Sequence, residues 1–71
     1  MNTLYVVAEC QGNVWINSVF PDCNDHEPYE HAGEMTQHAN FGVNPDDKEF
    51  VKYWVTETVS EALINDFNSR S

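Results

Sequence analysis

A chain of 71 residues has room for a single domain with a modest core, which excludes a multidomain machine and makes a deep substrate cleft hard to build. Hydrophobic residues at 41% and aromatics at 13% suffice for a globular core and exclude full disorder. Twelve Asp and Glu against three Lys and Arg give a net charge of −9, which excludes the positive footprint of a direct nucleic-acid binder and opposes an anionic membrane surface.

The charge is unevenly placed. The first basic residue is Lys48, and before it stand Glu9, Asp22, Asp25, Glu27, Glu30, Glu34, Asp46 and Asp47. These carboxylates have no Lys or Arg close in sequence, so they repel one another in the folded state. The start, "MNTLYVVAECQG", lacks the basic region of a secretory signal, and no apolar run approaches the length of a membrane span. The expected location is the cytoplasm, either of the source cell or, for a phage-encoded chain, of the infected host. There Cys10 and Cys23 stay reduced; a Cys10–Cys23 bridge is the alternative.

The elements follow in order. "TLYVVAEC" and "VWINSVF" are β-branched and apolar runs around "QGN", a hairpin pattern. A three-residue loop over Gln11, Gly12 and Asn13 pairs Cys10 with Val14 and Ala8 with Ile16. It gathers Leu4, Val6, Ala8, Cys10, Val14, Ile16 and Phe20 on one face, and burial of one face is what selects a register. The other face, with Tyr5, Val7, Glu9, Trp15, Asn17 and Val19, is too apolar to be wholly wet. Pro21 ends the second strand because it has no amide to donate.

"EPYEHAGEMTQHANFG" predicts a helix over about 28–40, with Pro28 in the first turn and Gly42 closing the end. Tyr29, Ala32, Met35 or Thr36, and Ala39 form its apolar side. "VNPDD" is a turn, and "KEFVKYWVTE" (48–57) is the third strand. Thr58, three residues before Glu61, predicts a capping box opening a helix over about 59–68, with Val59, Ala62, Leu63 and Phe67 as its inner stripe. The order β–β–α–β–α defines one α+β domain spanning 1–71: a small three-stranded antiparallel sheet with the C-terminal helix packed on it.

Three kinds of site compete. Cys23, His26, His31 and His38 offer zinc-type ligands, but there is no second cysteine pair at finger spacing, so the expected cofactor is none and this set is the metal-binding alternative. Cys23, Asp25 and His26 lie close in sequence without an oxyanion hole or pocket, and no phosphate-loop, nucleophile-elbow or HExxH pattern occurs. No catalytic residue is assigned and a non-enzymatic protein is expected. The third kind is the acidic surface itself. On a helix, Glu27, Glu30 and Glu34 rise by about 4.5 and about 6 Å, sparser than the ~3.4 Å phosphate spacing of one DNA strand. Asp22, Asp25, Asp46 and Asp47 would have to join them to imitate nucleic acid. Trp15 and Trp54 are the aromatic anchors such an interface calls for.

In type, a short, acidic, compact α+β chain without a catalytic motif resembles the small inhibitors that phages and mobile elements make against host restriction, CRISPR or transcription complexes. That resemblance implies a binding protein. It would dock Asp22, Asp25, Glu27, Glu30, Glu34, Asp46, Asp47, Trp15 and Trp54 on a basic, normally nucleic-acid-binding groove of a larger protein. A structural subunit of a larger assembly, or a homodimer using the second sheet face, is the other expectation.

Overall fold

The computed structural model describes residues 3–22 and 25–70. Its elements are β1 (Leu4–Cys10), β2 (Asn13–Phe20), α1 (Glu27–Ala39), β3 (Lys52–Thr56) and α2 (Glu61–Arg70). The three strands form one sheet in the order β2-β1-β3, with both pairings antiparallel. This is the α+β architecture and element order expected from the sequence, with β1 at the centre because it is the most apolar strand.

The hairpin register differs from the expected one. Cys10 pairs with Asn13 and Ala8 with Trp15. The loop is therefore two residues, Gln11 and Gly12, at φ 52° and 84°, the positive-φ pair that a tight hairpin turn requires. The register then shifts between Val6 and Val7: Val7 lies opposite Ile16, and Val6 opposite Ser18. Asn17 is the extra residue of a β-bulge. The one-face assumption behind the three-residue loop fails because both faces are covered. Val6 and Ala8 on one face are each 0% exposed, while Val7 and Ile16 on the other are 2% and 1% exposed.

Helix α1 covers the first face. It meets β3 and β1, and its His31 reaches Ser18 and Phe20 of β2. Pro28 and Ala32 are its buried residues. Tyr29 and Ala39, expected inside, are exposed, because the inward arc is centred on Pro28 and Ala32. Helix α2 packs against β2. Its Phe67 and Arg70 lie beside Ile16, on the face opposite α1. The Arg70 guanidinium donates to the Ile16 carbonyl at 3.1 Å, occupying an acceptor on the open edge of the sheet. A charged side chain there blunts an edge that would otherwise recruit another strand.

Two boundaries move for local reasons. Helix α2 begins at Glu61, because Ser60 rather than Thr58 is its cap. Leu63 N donates to Ser60 Oγ at 3.3 Å, while Thr58 N donates back to Thr56 Oγ1 at 3.2 Å. Ala62 is exposed and Ile64 takes a half-buried place in the stripe. Strand β3 begins at Lys52 rather than 48, because the preceding residues are wound into turns. Asp47 N donates to Asn44 O at 2.9 Å and Phe50 N to Asp47 O at 3.1 Å.

Asn40 joins the helix layer to the sheet layer. It is 7% exposed, the buried polar residue of the described core. Its Nδ2 donates to the carbonyls of Thr36 and Val51, each at 2.8 Å, and its Oδ1 accepts from Val51 N at 2.7 Å. The side-chain amide thus pairs with the Val51 backbone as a neighbouring strand would, satisfying groups that would be costly to bury alone.

Candidate functional site

Helix α1 presents the acidic surface. Successive residues turn by about 100°, so Glu27, Glu30 and Glu34 fall within an arc of roughly 60°. That arc points away from buried Pro28 and Ala32, and all three carboxylates are exposed. Glu27 and Glu30 sit in the first turn, where the free amides of the helix favour negative charge. Asp25 supports the same terminus: its Oδ1 accepts from Glu27 N at 2.9 Å. His26 occupies the cap position without a side-chain capping bond.

Asp22 is exposed in the turn after β2, at φ 53°. Asp46 and Asp47 are exposed at the opposite end of α1, in the loop before β3. Asp47 also has a local duty, its Oδ1 accepting from Glu49 N at 3.2 Å. Of the seven candidate carboxylates, Asp22, Asp25, Glu27 and Glu30 therefore lie near the start of the helix and Asp46 with Asp47 beyond its end. Glu34 lies between, on a helix whose thirteen residues span about 20 Å at ~1.5 Å per residue.

The tryptophans lie elsewhere. Trp15 is half-buried beside α2, lining an open groove of about 200 Å³ with Ile16, Asn17, Phe67 and Arg70. Trp54 is 41% exposed and sits opposite Val7, on the sheet face away from α1. The side chain that sequence reasoning missed is Phe41. At 93% exposure it far exceeds Tyr29 at 57% and Trp54 at 41%. The signal available was the triplet Asn40-Phe41-Gly42, an aromatic at the point where a helix ends and the chain reverses.

The histidines and cysteines are dispersed. The His31 ring is occupied within the fold: Nε2 lies 3.2 Å from Asn17 Nδ2 and 3.1 Å from Ser18 Oγ, and the ring meets Phe20 edge-on at 5.8 Å. With the Asn17 amide as donor, Nε2 is the acceptor of that contact. His26 and His38 are twelve positions apart, about 18 Å along a helix at ~1.5 Å per residue. Cys23 lies outside the described residues. Among the described residues no three His, Cys, Asp or Glu side chains converge as metal ligands would. Cys10 is a free thiol facing the carbonyls of Lys48 and Glu49 at 3.8 and 3.6 Å. The pKa of the neighbouring Tyr53 phenol is raised above its ordinary value, first by burial and then by the electrostatic influence of Cys10.

The fold and surface define a small α+β domain whose outer helix is acidic. The chain matches no protein-family model, no curated protein and no solved structure. Among the described residues no helix is long and apolar enough to cross a membrane.

Proposed function

We propose that this protein is a non-enzymatic inhibitor that docks its acidic surface on a basic, nucleic-acid-binding groove of a larger protein and blocks access to it. One observation carries the reading. The outward arc of α1 and the turns at both its ends expose Asp22, Asp25, Glu27, Glu30, Glu34, Asp46 and Asp47, on a stretch of sequence with no Lys or Arg before residue 48. A rigid helix bearing one sign of charge costs self-repulsion in the free protein, and a cationic partner relieves it. Such complementarity accelerates association more than it deepens affinity. A phage or mobile-element origin and action in the cytoplasm of the infected host belong to the same reading.

The test is a tagged pull-down from nuclease-treated lysate of the source cell or its host. The wild type is compared with a Glu27→Lys/Glu30→Lys/Glu34→Lys variant, and the purified partner is then challenged with nucleic acid. The expected result is one nucleic-acid-processing complex held by the wild type, lost by the variant and displaced by DNA or RNA. Binding should also weaken steeply as salt rises. A partner retained equally by both proteins, or unaffected by nucleic acid and by salt, refutes the reading.

A further inference from the structure

We infer that the loop between Asn40 and Val51 is the docking element of this protein. In it, Phe41 is the anchor that enters an apolar socket rimmed by Lys and Arg on the partner. The inference rests on the reading of the protein as an acidic docking domain and adds where the contact is anchored and what the partner's socket must be.

Three observations lead there. The Phe41 ring is 93% exposed, so the fold gains almost nothing from it, whereas a partner that buries it gains the full transfer of an aromatic ring from water. The backbone that carries the ring is held in place. Asn40, immediately before it, is fixed by hydrogen bonds to Thr36 and Val51. Val43 N donates back to Asn40 O at 2.8 Å, and Gly42 takes φ 78°, a conformation open to glycine at no steric cost. The base of the loop is closed by the Asn40–Val51 pairing, and two further turns fold its body between Asn44 and Phe50. It is a compact surface loop with joined ends. A loop backbone ordered this way loses little freedom on binding, which is how preorganisation raises affinity.

The third observation sets the partner's chemistry. The same loop exposes Asp46, Asp47 and Glu49 against Lys48 alone. Negative charge on the loop that carries an apolar anchor fits a socket whose rim is cationic. It disfavours an anionic lipid surface, and a net charge of −9 on each chain disfavours a second copy. This loop follows the C-terminal end of α1, a helix of thirteen residues and so about 20 Å long at ~1.5 Å per residue, while Asp25, Glu27 and Glu30 cluster at its start. The loop therefore fixes one end of the acidic helix on its partner.

The experiment places the photo-crosslinking residue p-benzoylphenylalanine at position 41 of the full chain, with the same probe at exposed Ala62 as the control. Both are irradiated in nuclease-treated lysate. The expected adduct from position 41 maps to an apolar segment flanked by Lys or Arg on one protein. It falls at least about tenfold in the Asp46→Lys/Asp47→Lys background, a loss in keeping with charges at a specific interface. On that purified partner, Phe41→Ala should weaken binding at least about 30-fold, as removal of a hot-spot aromatic does, with its melting temperature unchanged. An adduct to another copy of the chain, to lipid or to a site without cations overturns the inference, as does a yield no higher than from position 62. The two readings fail separately. A cationic socket on a protein that binds no nucleic acid keeps the docking loop and removes the mimicry. A nucleic-acid-binding partner that ignores Phe41→Ala keeps the mimicry and removes the loop.

Discussion

Asn40 offers the sharpest test of how this fold is held together. In Asn40→Ala the Val51 amide loses its acceptor at 2.7 Å and the Thr36 and Val51 carbonyls lose a shared donor at 2.8 Å. Each lost bond is worth about 1 kcal/mol net, and a buried donor left without a partner costs ~1–3 kcal/mol. Loop residues around Val51 are half-buried rather than sealed, so water recovers part of the loss and about 2–4 kcal/mol is expected. For a chain of 71 residues, whose whole stability is of order 4–11 kcal/mol at ~0.05–0.15 per residue, that is a large share. At roughly 4–8 °C per kcal/mol for a domain of this size, the melting temperature should drop by ~10–30 °C. Urea denaturation followed by Trp fluorescence gives the free energy independently. Asn40→Asp separates the two halves of the interaction. It keeps an acceptor for Val51 N–H but sets a carboxylate against two carbonyls, so its folded-state pKa rises. Its deficit should therefore be greatest at neutral pH and shrink as acid protonates the carboxyl and restores a donor. A loss below about 1 kcal/mol in Asn40→Ala, or an Asp variant whose deficit does not change with pH, would falsify the view that this amide substitutes for a strand.

Three further predictions concern the scaffold. Gly33 is exposed within α1 and a Cβ there meets nothing within 4 Å, so Gly33→Ala should stabilise by about 1 kcal/mol from helix propensity, read as a higher urea midpoint at constant m; an unchanged or lower midpoint contradicts it. Gln11 adopts φ 52° before Gly12, a conformation that Asn tolerates better, so Gln11→Asn should raise stability by roughly 0.5–1 kcal/mol; destabilisation would show that the Gln11 side chain has another role. Tyr53 holds its proton more tightly in the folded state, through burial and then Cys10. Its contribution is complete below the unfolded value of 10.0 and is lost as pH rises through the folded one. Between about pH 9 and about pH 11 the wild type should lose stability more steeply than Tyr53→Phe, and parallel curves would remove Tyr53 as the cause.

The sequence alone determined the elements and their order. Alternating and β-branched runs marked the strands, Pro28 and the glycine at 42 bracketed α1, and the charge imbalance pointed to the surface that α1 now displays. These signals are local, carried by residues whose preference acts within a turn or a strand. What the tertiary structure decided is the set of choices in which two local solutions were close in energy. The hairpin admitted either a two- or a three-residue loop. Burial of Val6 and Val7 on opposite faces chose the shorter one, and a bulge at Asn17 kept Ile16 inside. The sequence pointed to Thr58 as the cap of α2, but Thr58 is bonded back to Thr56 and Ser60 takes the role instead. Asn40 looked like a helix end in sequence. Only its pairing with Val51, eleven residues on, made it a joint between the two layers, and that joint turns Phe41 out into solvent. A side chain's exposure depends on what the rest of the chain places beside it, which no local pattern encodes.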